Sequence, residues 1–217
     1  MAGTVLSPGS SSEAAQRAVR GVARRIEQRL FPEAASAAEH WQRKVMNDAV
    51  DRHIEALGPE RLSAAEISGA NHAGKPWRSH VSLDFPEFDL CAPLAEGQQQ
   101  FDVVICEQVL EHVTDPCSAA RNLRRLCSPG GQAIVSTPFM IRVHELPAYG
   151  LRDYWRFTPR GLRHLLELGG FREIEVSSWG NRECIVGNMS RWSTYRRWMP
   201  MRNEADLPVQ VWAYASA

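Results

Sequence analysis

Glu107, Gln108, Glu111 and His112 crowd into positions 107–112, and a second polar group, His144 with Glu145, follows further along the chain. A histidine titrates near neutrality, so His144 can take a proton from a hydroxyl, and a positioned base accelerates a reaction by about a hundredfold to ten-thousandfold. Glu145 points the opposite way if the loop is extended, where it can bind a substrate hydroxyl or a divalent ion such as Mg2+. His144, Glu145 and His112 together therefore offer a metal cluster, although nothing in their spacing specifies one. Just beyond lie Tyr149 and the run Arg152-Asp153-Tyr154-Trp155-Arg156-Phe157-Thr158, dense in polar and aromatic groups. Tyr154 is a candidate catalytic side chain, and Tyr149, Trp155 and Arg156 are candidate substrate contacts. The structural alternatives are that Trp155 packs inward and Arg156 pairs with Asp153.

These groups need elements to hold them. Phe101-Asp102 leads into Val103-Val104-Ile105, an apolar run short enough for a buried strand that opens into the polar set at Glu107. Asp115 followed by Pro116 reads as a helix N-cap with proline at the first helical position, and Ala120, Leu123, Leu126 and Cys127 mark one apolar helical face. Pro129-Gly130-Gly131 is expected to stop that helix, and Ala133 to Val135 to form the next strand. The order strand, helix, strand is that of a parallel-sheet crossover. Thr158 and Pro159 cap a further helix with Leu162, Leu165 and Leu166 on its apolar face, ending at Gly169-Gly170. Ile174 and Val176 share one strand face from Arg172 on, and Val209, Val211 and Ala213 share another.

The elements FDVVICEQVLEHV, PGG and IVSTPF, as they stand between Phe101 and Phe139, resemble the fourth strand, following helix and fifth strand of the small single-domain class I S-adenosylmethionine-dependent methyltransferases. The resemblance covers Arg61 to Ala217. It implies an α/β fold: a Rossmann-like, mostly parallel sheet with helices on both faces and an antiparallel C-terminal strand, preceded by N-terminal helices. It implies S-adenosyl-L-methionine as cofactor, and a first strand at Ala64 to Ile67. Glu66 matches the family's acid there, with Ser68 and Gly69 in the cofactor loop. The usual three alternating glycines are missing: only Gly69 and Gly74 remain, and His72 stands where a small residue is expected. Asp84, after the strand His80 to Leu83, matches a ribose ligand, and Asp89 resembles the acid that reads the adenine amino group, either of which can instead cap a turn. Glu107 and Gln108, with His112 beyond them, fall where ligands bind in open parallel sheets and are expected at the methionine part and the methyl group. His144 to Pro147 (HxxP) followed by DYWRFT resembles a subgroup associated with bacterial polysaccharide and natural-product clusters. The implied acceptor is a hydroxyl of a sugar or a small methylated manno-oligosaccharide.

Residues 1–12 are expected to be disordered and 13–60 to form helices over the cofactor and substrate mouth: a basic amphipathic one through Val19, Val22, Ile26 and Leu30, and a second from about Glu33 to Leu57. The resemblance places Trp41 and His53 of the second helix toward the substrate, with core packing as the alternative. Over the 217 residues, 25 Lys plus Arg balance 25 Asp plus Glu, which leaves no net field for nucleic acid. Five cysteines without CxxC spacing fit reduced thiols, and the absence of a membrane span or signal peptide fits a cytoplasmic protein. The insert from Trp179 to Asp206 is aromatic and basic, suited to an acceptor wall, a homodimer contact or plain packing. Two rival readings stand beside the sugar one: a methyltransferase for nitrogen or oxygen of a non-sugar metabolite, and an inactive scaffold with this fold. A nicotinamide oxidoreductase lacks both its glycine turn and its Tyr-x-x-x-Lys pair.

Overall fold

The computed structural model describes residues 39–145, 150–189 and 191–217. The expectations for residues 1–38, and for Tyr149, lie outside the described residues.

Among the described residues, six strands build one sheet: β1 (Ser63–Ile67), β2 (Ser79–Leu83), β3 (Phe101–Glu107), β4 (Cys127–Pro138), β5 (Ile174–Trp179) and β6 (Gln210–Ser216). Their order is β2-β1-β3-β4-β6-β5, and β6 runs antiparallel to both neighbours while the other pairs are parallel. The chain leaves β1 for β2 on one side and then returns to β3 on the other. The carboxyl ends of β1 and β3 therefore form the switch point at which open sheets hold ligands.

Burial on both faces explains the apolar run of β3. Phe101, Val104 and Cys106 enter one core layer, with Leu123 and Leu126 of α2 (Pro116–Leu126) and Leu162 and Leu166 of α3 (Pro159–Gly169). Val103 and Ile105 enter the opposite layer, with Met46, Val50 and Ile54 of α1 (Lys44–Leu57). Asp115 caps α2 by accepting from the N–H groups of Cys117 and Ser118, and Gly170 ends α3 at a φ of 97°. A further helix, α4, spans Arg182–Asn188. Among the described residues no helix is long and apolar enough to cross a membrane. All five cysteines are free thiols, and burial pushes those of Cys127 and Cys184 up to about 12.

Three local readings change. Among the described residues, the helix expected from Glu33 begins only with the 3-10 turn Trp41–Arg43 and then α1. Helical spacing in the sequence predicts a stripe through Trp41, Val45, Ala49, His53 and Leu57, but within α1 the most buried residues are Met46, Val50 and Ile54, one residue round, because the bulkier side chains take the core. Pro129-Gly130-Gly131 does not stop α2, which ends at Leu126. Those residues lie inside β4, in an irregularity where the register jumps from Phe101 opposite Cys127 to Val103 opposite Gln132. The strand expected from Arg172 starts at Ile174.

Gly180, just past β5, is the tightest point of the sheet edge. A Cβ there would lie 2.1 Å from the Leu207 carbonyl oxygen and 2.4 Å from the Val209 nitrogen. Backbone cannot yield as a side chain does, so Gly180→Ala is expected to cost about 3 kcal/mol in a urea titration.

Candidate functional site

At the switch point, Glu66 closes the loop after β1 on itself. Its buried carboxylate accepts from the backbone N–H groups of Asn71 at 2.7 Å and His72 at 3.1 Å, and from His80 Nε2 at 3.3 Å. A side chain thus sets the loop where glycines would otherwise permit the turn. Ser68 (φ 51°) and Gln108 (φ 57°), the first residues beyond β1 and β3, both adopt the left-handed conformation that non-glycine residues rarely accept. Backbone strain is concentrated at the two strand ends that flank the site.

A cavity of about 220 Å³ opens there, lined by Arg43, Met46, Asn71, His72, Glu107 and Gln108 among others. His72 Nε2–H donates to Glu107 Oε2 at 2.8 Å. The other oxygen, Oε1, is buried and makes no hydrogen bond among the described residues. The Gln108 amide donates to Gln210 Oε1 at 2.8 Å and Ser136 Oγ at 3.3 Å, which ties the residue to β4 and β6. Asp84 stands exposed at the end of β2, where it accepts from Ser82 Oγ at 3.0 Å. Asp89 accepts from the Cys91 N–H at 2.8 Å in an exposed turn, and no third strand forms there.

A second cavity of about 450 Å³ adjoins it, lined by His40, Gln42, Arg43, Ile141, Arg142, His144 and Trp192 among others. Arg43 borders both cavities. Burial lowers the proton affinity of its guanidinium, opposed by the charges of Glu111 and Glu107. The strap that carries it is held by the His40–Thr194 bridge and by the Trp41 N–H, which donates to the Ser193 carbonyl at 2.8 Å.

His144 is anchored by its backbone N–H, which donates to Asp153 Oδ2 at 2.7 Å. The same oxygen lies 3.1 Å from His144 Nδ1, out of line for a hydrogen bond. Burial depresses the His144 pKa below the ordinary histidine value, and the nearby His112, Arg156 and Arg43 act in the same direction against Asp153. Asp153 is itself gripped by both terminal nitrogens of Arg156. Glu111, at 0 % exposure, has no hydrogen-bond partner for either carboxylate oxygen among the described residues, and burial raises its pKa to about 8. His112 Nδ1–H donates to the Arg152 carbonyl at 2.7 Å, so in the neutral ring the lone pair is on Nε2, 3.8 Å from Glu111 Oε1. Glu111, His112 and His144 each offer a ligand atom within 4.8 Å of the others.

The expected site residues thus divide. Glu66, Ser68, Gly69, Glu107 and Gln108 gather at the switch point, and His112 and His144 meet beside Glu111. Glu145 lines the larger cavity but pairs with Arg152 at 3.0 Å rather than with the histidines. His53 stacks on Tyr214 at 3.7 Å and donates to Gln132 Oε1 at the opposite end of β4, away from both cavities. Tyr154 and Trp155 are half exposed, their backbone N–H groups bonded to the Glu111 carbonyl, and Trp155 Nε1–H donates to Val113. The sequence held no signal for Arg43, His40 or the burial of Glu111, and it offered Trp192 only as part of the aromatic insert expected as an acceptor wall, a homodimer contact or plain packing. It noted His72 only as a departure, and that departure was the one signal available.

The match to known proteins follows the geometry. Residues 19–176 match the model of a methyltransferase domain. The ubiquinone biosynthesis O-methyltransferase of Xanthomonas oryzae pv. oryzae (strain PXO99A) is 30% identical over 153 residues, 70% of this chain and 59% of that protein. The chain thus spans about three fifths of that relative's length. An S-adenosylmethionine-dependent methyltransferase of Mesorhizobium loti superposes with a TM-score of 0.52 at 17% identity, over 76% of this chain and 96% of the other. The 1,6-didemethyltoxoflavin N1-methyltransferase of Burkholderia thailandensis, solved with its acceptor and S-adenosylhomocysteine, gives 0.50 at 14% identity over 99% and 92%. At these identities the two structures establish the fold.

Proposed function

The chain belongs to the methyltransferase-domain family, and from that premise we propose that it moves a methyl group from S-adenosyl-L-methionine to a hydroxyl of a small acceptor, a sugar or short saccharide. The observation that carries the reading is the pair of adjoining cavities with Arg43 as their common wall. Such a reaction needs two ligands brought end to end, and alignment alone can contribute several kcal/mol, up to roughly ten.

The smaller cavity fits the donor. Glu107 Oε1 is a buried acceptor awaiting a donor, and a sulfonium amino acid brings an ammonium. Arg43 offers a cation for the carboxylate of the same ligand, and this reading assigns the ribose to Asp84, exposed at the end of β2. When bound, the donor supplies an electrophilic methyl group; the protein supplies position and a dry wall.

His144 faces the larger cavity as the base. Its depressed pKa keeps the ring neutral at pH 7, the form that accepts a proton, so kcat/KM is expected to rise with pH through a value below the ordinary histidine pKa of about 6.5 and then level. The cavity wall mixes buried acceptors and donors that have no partner among the described residues, Gln42 Oε1 and His40 Nδ1 among them, with the Trp192 ring. Hydroxyls both donate and accept, and flat aromatic faces suit sugar rings. The name of the Xanthomonas relative speaks for oxygen as the acceptor atom.

A divalent cation is the second reading, favoured by Glu111 with its two unpartnered oxygens and by the His112 tautomer that leaves Nε2 free. Glu111, His112 and His144 would hold it, with Glu111 in place of the Glu145 expected from sequence, and it would lower the pKa of a bound hydroxyl. Incubation with labelled S-adenosylmethionine and a panel of saccharides, phenols and amines, with and without chelator, tests both readings. Label is expected in saccharides. Label confined to amines or proteins overturns the sugar assignment, and activity unmoved by chelation removes the cation.

A further inference from the structure

His72 replaces a small residue in the loop after β1, and its contacts are too specific for a loop filler. The side chain is buried at 7 % exposure, Nε2–H donates to Glu107 Oε2 at 2.8 Å, and Nδ1 lies 3.9 Å from Asp51 Oδ1. The backbone N–H of the same residue is bound by Glu66 at 3.1 Å. One oxygen of Glu107 is thereby engaged, and the buried Oε1 has no hydrogen bond among the described residues, on a side chain that lines the smaller cavity.

We propose that His72 is a positioning residue of the donor site: its doubly protonated ring clamps Glu107 so that Oε1 receives the cationic end of the methyl donor, and donor affinity depends on that proton. The inference rests on the donor reading of the smaller cavity.

Charges face the ring from every neighbouring element. Glu107 comes from β3, Glu66 from β1, and Asp51 from α1; Arg43 approaches Glu107 from the preceding turn. Lys75, on the same loop, bonds Asp51 at 2.8 Å and Glu55 at 3.2 Å, and His80 of β2 bonds Glu66. Three carboxylates confront the ring directly. A neutral ring donating from Nε2 would present its Nδ1 lone pair to the Asp51 carboxylate, which is repulsive, so the arrangement selects the imidazolium. Burial lowers the proton affinity of His72, but the bond to Glu107 and the charges of Glu107, Glu66 and Asp51 outweigh it, and the pKa stands above the ordinary histidine value. The sign follows: the clamp is complete below that raised pKa and is lost as pH rises through it.

Calorimetric titration of the full chain with S-adenosylhomocysteine between about pH 6 and 9 reads this directly. The parent is expected to bind more weakly as pH rises, by at most about tenfold per pH unit for one proton. His72→Gln keeps a neutral donor toward Glu107, so it is expected to bind with the slope abolished. A slope that survives in His72→Gln belongs to another group, such as Glu111, and overturns the proposal; so does a flat parent. Repeating the parent titration in buffers of different ionisation heat supplies a readout that needs no variant to fold. Proton uptake on binding is expected above the His72 pKa, and no uptake overturns the clamp. A parent that binds at no pH overturns the donor reading and the clamp together, whereas binding without proton linkage overturns the clamp alone.

Discussion

His144→Ala is expected to lower kcat on an alcohol acceptor by about a hundredfold to ten-thousandfold while leaving S-adenosylhomocysteine affinity unchanged. The separation follows from position, since His144 lines the larger cavity and not the smaller one. The surrounding design serves a neutral, fixed ring. Asp153 holds the His144 backbone, and Arg156, by engaging both oxygens of Asp153, keeps that carboxylate from drifting. The pH profile sharpens the test. The parent's acid limb reports loss of the neutral base, and the alanine variant should lack that limb while retaining a small residual rate from alignment. Equal turnover by parent and variant would mean that the acceptor needs no deprotonation, as for a nitrogen nucleophile.

Glu111→Gln should make the metal-free protein more stable at alkaline pH and less active. The Glu111 pKa is raised from 4.5 to about 8, first by burial, with Asp153 adding to it and Arg43 and Arg156 opposing it. Between those values the folded protein holds a proton that the unfolded chain has released, so stability falls as pH rises, by up to roughly 1.4 kcal/mol per pH unit. Above about 8 the loss is complete, on the order of 5 kcal/mol. Glutamine fills the same space without a charge and removes this contribution. Chemical denaturation across the pH range in chelator reads the difference between parent and variant. Identical slopes would show that the carboxylate is not confined as the structure places it. Saturating divalent cation should flatten the parent's curve, because it binds the ionised form and satisfies the two empty oxygens.

Local chemistry was the legible part. Asp115-Pro116 and Gly169-Gly170 mark helix ends because capping is decided within a few residues, and Val103 to Ile105 reads as a two-sided strand because nothing polar interrupts it. The reversed direction of β6 came only with the family resemblance. What stayed hidden depends on distant chain closing over a residue. Glu111 belongs to the same polar run as Glu107, yet one is sealed and the other borders a cavity, and periodicity cannot separate them. Arg43 gains meaning only when the segment before α1 folds across the sheet end. His53 was misplaced for the reverse reason: one helical step of 100° turns a stripe aimed at the mouth into one that flanks Tyr214. Pro129-Gly130-Gly131 shows that breaker residues announce irregular backbone without saying whether a helix or a strand carries it.

The strap from His40 to Arg43 has a kinetic meaning. Its terminal side chain is a partition between two rooms, and the segment is tied to the chain at Ser193 and Thr194 by main-chain contacts. A partition cannot be withdrawn for one occupant alone. On the proposed reaction, a displacement of the strap wide enough to release a methylated product would also uncover the spent donor, and the two ligands would leave together.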